Sequence, residues 1–110
     1  MNQEAVRIGT TEAVFRNVNE RIAETAERFE SESAEFVCEC ADSACTDRVE
    51  ATLETYEQVR RESTHFLLVP GHEREPVERV LEQNLRYTVV DKVERTVAAT
   101  VRRLDPRAAT

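Results

Sequence analysis

The chain has 110 residues, 40% of them hydrophobic, with only two Gly and three Pro, a composition typical of one globular domain. Its 22 acidic and 15 basic residues give a formal net charge of −7, which disfavours nucleic-acid binding because that binding requires phosphate neutralisation. No apolar stretch reaches the roughly 18 residues of a membrane span, and the start, "MNQEAVRIGTTEAVF", lacks a signal segment, so we expect a cytoplasmic protein that does not bind membranes.

The first predicted element is an amphipathic helix over residues 11–30, "TEAVFRNVNERIAETAERFE". Apolar residues recur there at spacings of three and four, which is typical of one helical face; they are Phe15, Val18, Ile22, Ala26 and Phe29. We expect Thr10 or Thr11 to cap this helix. Two pairs spaced four apart, Glu12 with Arg16 and Glu24 with Arg28, are placed to form salt bridges along it.

The apolar stripe of this helix has two interpretations. It either packs on the protein's own sheet, or it pairs with a partner protein or with a second copy of the helix, since its spacing also fits a short heptad seam. A domain this small has little sheet with which to cover the stripe, and exposed contiguous apolar area usually marks an interface. We therefore expect a protein partner or a homodimer through the helix of residues 11–30.

Alternation from residue 35 predicts a change to β-structure. In "EFVCEC" the residues alternate between two faces, which places Cys38 and Cys40 on the same face of a strand. "ADSA" reads as a loop, and "DRVEATL" as a second short strand or the start of a helix. "TLETYEQVRRES" predicts a second helix with Thr52 as its cap.

The second half of the chain predicts further strands. "THFLLVPGH" is an apolar β-rich run ended by the turn signal Pro70-Gly71. "PVERVLEQNLRYTVVDKV" predicts a hairpin folded about Gln83 and Asn84. After Val93 the pattern fits a short helix or a partly ordered tail.

These elements predict an α+β fold with a small mixed or antiparallel sheet of about four strands, an N-terminal amphipathic helix and a second short helix. The expected organisation is an N-terminal helical arm over residues 1–34, a central α+β domain over residues 35–93, and a C-terminal helix or tail over residues 94–110.

Cys38, Cys40 and Cys45 are the only cysteines of the chain. Cytoplasmic thiols stay reduced, and three cysteines cannot all pair, so a metal or redox site is favoured over a disulfide framework. Two thiols at i and i+2 on a strand point the same way, and a four-residue loop can return the third. Three thiolates in this arrangement could hold a tetrahedral zinc ion at about 2.3 Å.

The fourth ligand is expected to be a histidine, and the chain has two. His72 is the better candidate because it follows the Pro70-Gly71 turn at the end of a strand, while His65 opens that same strand and is the reserve. Asp42, Asp47 or water are the alternatives. A complete set of three Cys and one His leaves no open position, which favours one structural zinc ion over a catalytic one.

Two rival functions follow from the same residues. The first is an enzyme, either a thiol redox protein using Cys38 and Cys40 or a zinc-dependent enzyme with one ligand absent. Nearby acids raise thiol pKa values and disfavour a reactive thiol, whereas a metal ion would support thiolates there; these acids are Glu35, Glu39, Asp42 and Asp47. The second rival is a metal-free interaction protein whose N-terminal helix dimerises. The chain has no Gly-rich phosphate loop and no H-E-x-x-H or G-x-S-x-G motif.

Three segments, "FRNVNERI", "FVCECADSACTDRVEATLETYEQVR" and "FLLVPGHE", carry a resemblance. Together they resemble a group of small uncharacterised proteins of high-GC, actinobacterial-type bacteria that share N-V-N-E, C-x-C-x4-C, T-L-x-x-Y-E-x-V-R and P-G-H-E motifs. The resemblance covers roughly residues 15–93 and implies no activity. It includes all three cysteines and His72 in the shared motifs, but not His65.

The residues themselves predict a cytoplasmic, zinc-stabilised binding or regulatory module whose partner is unknown.

Overall fold

A computed structural model describes residues 3–74 and 77–108. The α-helices are α1 Gln3–Arg28, α2 Leu53–Val59 and α3 Arg95–Arg103, and a 3₁₀ turn follows at Pro106–Ala108. The strands are β1 Ser33–Val37, β2 Arg48–Thr52, β3 His65–Leu68, β4 Glu78–Gln83 and β5 Thr88–Lys92. The predicted α+β class, with a long N-terminal helix and antiparallel strands, is confirmed.

The strands form two small sheets. β1 pairs with β2 in one antiparallel sheet, with Phe36 opposite Val49. β5 lies between β3 and β4 in the other, and both pairings are antiparallel. The Glu39 N–H donates to the Leu67 carbonyl at 2.9 Å, so the chain leaving β1 runs beside β3 and connects the two sheets.

Helix α1 differs from its prediction in both length and orientation. It extends from Gln3 through the expected caps, Thr10 and Thr11, which lie inside the helix. Of the predicted stripe only Ala26 is buried, whereas Val18 is 41% and Phe29 74% exposed. The buried face of α1 lies further round the helix and consists of Ala5, Ile8, Gly9, Glu12, Ala13, Arg16, Asn19, Ala23 and Ala26.

The buried face of α1 is partly polar because its charged and amide groups find partners on distant elements. Arg16 donates to the carbonyls of Ser63 and Val101, each at 2.7 Å. Glu12 lies 2.5 Å from Lys92 Nζ. These contacts replace the predicted salt bridge between Glu12 and Arg16. A buried charge is removed from water and therefore needs partners within the protein.

Most of the remaining elements follow the sequence prediction. The predicted strand over "EFVCEC" is an exception, because β1 ends at Val37 and both Cys38 and Cys40 lie in the segment after it. The Thr52 hydroxyl accepts the Thr55 N–H at 3.0 Å and caps α2. β4 and β5 form the predicted hairpin, although Pro76, where the predicted segment begins, lies outside the described residues. The ambiguous segment after Val93 forms α3, which packs closely on α1: a Cβ atom at Gly9 would lie 2.8 Å from Thr100 Cβ.

A single core joins these elements. Phe36 of β1 stacks on Tyr56 of α2 with ring centroids 4.5 Å apart, and the fully buried β3 residues pack in the same cluster. Helix α1 contributes Ala5, Ile8 and Ala23 to it. The division into a helical arm, a central domain and a C-terminal segment stays a prediction. Within the described part of the chain no helix is long and apolar enough to cross a membrane.

Candidate metal centre

Four predicted ligands come together where β1, the following loop and the end of β3 meet. The ligand atoms of Cys38, Cys40, Cys45 and His72 all lie within 4.8 Å of one another. Cys38 and Cys40 are buried, and Cys45 is partly exposed. The chain brings them together because Cys38 directly follows β1, and His72 follows β3 after the Pro70-Gly71 turn.

The separations between these atoms match a tetrahedral site. His72 Nδ1 lies 3.5 Å from Cys38 Sγ and 3.7 Å from Cys45 Sγ. Ligands about 2.3 Å from a tetrahedral ion are about 3.8 Å from one another. The four side chains could therefore hold a metal ion with little rearrangement.

The Asp47 carboxylate lies beside the His72 ring. Its Oδ2 is 3.3 Å from His72 Nε2, on the opposite side of the ring from the thiols. A carboxylate at this position favours the tautomer with its proton on Nε2, which leaves Nδ1 as the unprotonated atom that faces the sulfurs. Carboxylate and histidine are arranged in this way around many metal ions, where the carboxylate sets the histidine tautomer.

The other predicted candidates lie elsewhere or play another part. His65 stands at the opposite end of β3, with its Nε2 3.9 Å from Asp91 Oδ1, and does not join the cluster. Asp42 shapes the loop instead of facing the sulfurs: its side chain accepts the Ala44 N–H at 2.9 Å, and its carbonyl accepts the Cys45 N–H at 3.0 Å.

Backbone N–H groups point at the sulfur atoms. The Val69 N–H donates to Cys38 Sγ at 3.2 Å. The Asp42 N–H likewise donates to the Cys40 sulfur, and the Asp47 N–H donates to the Cys45 sulfur. Each N–H favours the thiolate over the thiol, because hydrogen bonds to a charged form stabilise that form.

The thiol cluster can ionise only in part without a cation. A hydrogen bond from Cys38, assisted by the Asp42 N–H, lowers the pKa of Cys40 to about 5. The same hydrogen bond, together with burial, raises the pKa of Cys38, and burial raises the pKa of Cys45. Three thiolates this close repel one another, so full deprotonation requires a positive ion among them.

Glu39, the residue between the two buried cysteines, holds this segment in place. Its carboxylate accepts the Leu67 N–H from β3 and the Asn19 amide from α1, each at 2.8 Å. Asn19 also brackets Val37, donating to its carbonyl at 2.9 Å and accepting its N–H at 2.8 Å. The C-x-C segment is therefore held by a helix on one side and a strand on the other.

Sequence reasoning missed these supporting roles. It counted Glu39 and Asp47 only as negative charges or alternative ligands, and it placed Asn19 between two apolar positions of the stripe. The one available signal was the N-V-N-E motif of α1, which contains Asn19 and is one of the motifs on which the predicted resemblance rests. A polar residue in a helix does not by itself indicate which distant group it contacts.

Comparisons of this chain with protein-family models, with curated proteins and with solved structures give no match, so the chemistry of the four clustered side chains is what indicates a function.

Proposed function

We propose that this protein is a cytoplasmic binding module whose fold is stabilised by one structural zinc ion held by Cys38, Cys40, Cys45 and His72. The observation that carries the proposal is the convergence of three sulfurs and one imidazole nitrogen within 4.8 Å. Sulfur and imidazole ligands in a tetrahedral set are typical of zinc in proteins.

The completeness of the ligand set supports a structural role. Catalytic zinc sites keep one position for water or substrate, whereas three Cys and one His fill all four positions. Burial of Cys38 and Cys40 also limits access of a substrate to the ion. The site connects the end of β1, its loop and the end of β3, which are segments that a structural ion would tie together.

The binding role rests on helix α1. A stripe of exposed apolar side chains follows this helix, at Val14, Val18 and Phe29. Apolar residues scattered singly on a surface are ordinary, but exposed apolar residues that recur on one side of a helix favour a partner. Partner binding through α1 therefore remains part of the proposal.

Metal analysis of protein purified without added metal tests the zinc centre. We expect about one equivalent of zinc per chain. Cys38→Ser, Cys40→Ser and Cys45→Ser should each lose the metal and lower the melting temperature strongly, because binding free energy at a structural site is folding free energy. Ala44→Ser, an exposed change in the same loop, is the matched control and should keep both the metal and the wild-type melting temperature.

Two outcomes would contradict this proposal. One is a metal-free preparation that melts at the same temperature with and without chelator. The other is a preparation that carries a disulfide among the three cysteines in reducing buffer, detected as a mass lower by two hydrogen atoms, which would favour thiol redox chemistry instead.

A further inference from the structure

An open apolar groove runs along the outer side of α1 where this helix meets the start of β1. It has a volume of about 610 Å³. Its lining residues come from three turns of α1 and from the segment entering β1: Val18, Arg21, Ile22, Thr25, Ala26, Phe29, Ser31, Ser33 and Ala34. From Val18 to Phe29 the groove extends about 16 Å along the helix axis, at about 1.5 Å per residue.

Arg21 is the one charged side chain among the described residues that line this groove. Arg28 lies on the same side of the helix, because residues seven apart are separated by nearly two whole turns. Both arginines are exposed, and within the described ranges neither has a salt bridge or side-chain hydrogen bond. The predicted pair between Glu24 and Arg28 is thus not formed. The exposed acids Glu24, Glu30 and Glu32 neighbour the lining residues without being among them.

This arrangement disfavours a second copy of the chain as the occupant. In a two-fold dimer the same surface faces itself, so Arg21 would meet a groove that contains no acidic side chain among its described lining residues. Like charges across an interface oppose association and select against the wrong partner. The homodimer predicted from the heptad spacing is therefore the weaker of the two alternatives.

We propose that the groove between α1 and β1 binds an amphipathic helix of another protein, with apolar residues at spacings of three and four and acidic residues beside them. This inference rests on the proposed binding role and names the chemistry of the partner. A helix lying along the groove would place its apolar face on Val18, Ile22 and Phe29. Its carboxylates would meet Arg21 and, at the groove end, Arg28.

The net charge of the chain does not oppose this choice. Charges are screened beyond about 8 Å at physiological ionic strength, so the acids far from the groove that contribute to the charge of −7 act weakly there. At contact distance Arg21 is the charge that lines the groove, and it favours a carboxylate on the partner.

The metal centre is linked to this groove through β1. Ser33 and Ala34 form one wall of the groove, and the same strand ends immediately before Cys38. Asn19, on the buried face of α1, holds Val37 at the end of β1 by two hydrogen bonds. The zinc ligands and the groove therefore share one strand.

Two synthetic peptides of about 20 residues test the proposal. Both carry Leu at helical spacings of three and four, but the flanking positions are Glu in one and Lys in the other. Binding to the full chain is measured by fluorescence anisotropy at physiological salt. We expect the Glu peptide to bind at least about tenfold more tightly than the Lys peptide. Arg21→Glu should remove this preference.

Two further variants serve as controls. Arg86→Glu makes the same charge change at an exposed position near the hairpin turn and should keep the preference. Phe29→Ser alters a side chain that is 74% exposed, so the circular dichroism spectrum should stay unchanged. Because Phe29 lines the groove, this variant should bind the Glu peptide about tenfold more weakly. Equal affinities, no binding of the Glu peptide up to about 1 mM, or an unchanged preference in Arg21→Glu would overturn the inference. So would a dimer in light scattering that Phe29→Ser dissociates.

The metal content of the same samples separates this inference from the proposed zinc centre. Metal-free protein that still prefers the Glu peptide would contradict the zinc centre and support the groove. Zinc-loaded protein with no preference between the peptides would support the zinc centre and overturn the groove.

Discussion

Asn19 and Glu39 form a buried hydrogen bond of 2.8 Å that joins the long helix to the residue between two of the clustered thiols. Neither side chain contacts the thiols as a ligand. Glu39 also accepts the Leu67 N–H, so its carboxylate fixes the position of the C-x-C segment against both α1 and β3. Assembly of the thiol cluster therefore depends on residues that cannot bind the ion.

The first prediction tests this link. Asn19→Ala removes three hydrogen bonds and leaves the Val37 backbone groups and Glu39 without this partner, so we expect a loss of about 2 to 4 kcal/mol of unfolding free energy. Asn17→Ala, an exposed change on the same helix, should cost less than about 0.5 kcal/mol. Urea unfolding of both metal-loaded variants measures the difference. A loss below about 1 kcal/mol in Asn19→Ala would show that water replaces the amide.

The second prediction concerns the fourth ligand. His72→Ala should weaken zinc binding on the order of a hundredfold or more, because loss of a ligand exceeds the effect of losing a supporting contact. His65→Ala should leave zinc affinity unchanged, since His65 lies at the far end of β3. Competition against a chromophoric chelator measures both. Equal affinities in the two variants would point to an aspartate or water as the fourth ligand.

The third prediction concerns the carboxylate beside His72. Asp47→Ala should weaken zinc binding by about tenfold, at the lower end of the range for such contacts, because the Asp47 side chain is 60% exposed and water can partly replace it. Glu50→Ala, which removes another exposed acid on β2, controls for the loss of one negative charge. The same chelator competition applies. If Asp47→Ala and Glu50→Ala weaken zinc binding equally, the loss of one negative charge explains the effect and the contact between Asp47 and His72 does not.

The fourth prediction is a pH dependence caused by Glu12. Burial raises the pKa of Glu12 from its ordinary value of 4.5 to about 7, although the nearby Lys92 ammonium opposes this shift. Lys92 also bonds Glu78, so two carboxylates share one cation. Between pH 4.5 and 7 the folded protein retains a proton that the unfolded chain releases. Glu12 therefore lowers the unfolding free energy as pH rises through this range, by up to about 3 kcal/mol.

Glu12→Gln removes this dependence. Relative to wild type, the variant should become more stable between pH 5 and pH 8, as measured by urea unfolding at each pH. Using the difference between the two proteins cancels the titration of the groups that they share. Glu24→Gln changes an exposed residue of the same helix. Its unfolding free energy should differ from that of wild type by the same amount at every pH. A constant difference in Glu12→Gln as well would mean that Glu12 is ionised throughout the range.

The amino-acid sequence by itself determined most of the local structure and the ligand set. Alternation in "EFVCEC", the apolar run "THFLLVPGH", the Thr52 cap and the hairpin segment each depend on neighbours within a few residues, and such patterns constrain backbone conformation directly. The cysteine spacing and the Pro70-Gly71 turn indicated the four candidate ligands for the same reason. These local features do not depend on how distant elements of the chain pack.

Only the tertiary structure decided which face of α1 is buried. Apolar periodicity selected the stripe with Val18 and Phe29, yet the structure buries the face with Glu12, Arg16 and Asn19. Those side chains find Lys92, two backbone carbonyls and Glu39, all more than 15 positions away in the sequence. A helical pattern measures how apolar each face is, but it carries no information about partners supplied by other elements. Burial of a polar face is stable only when such partners satisfy it, and the apolar stripe then remains exposed as the wall of a groove.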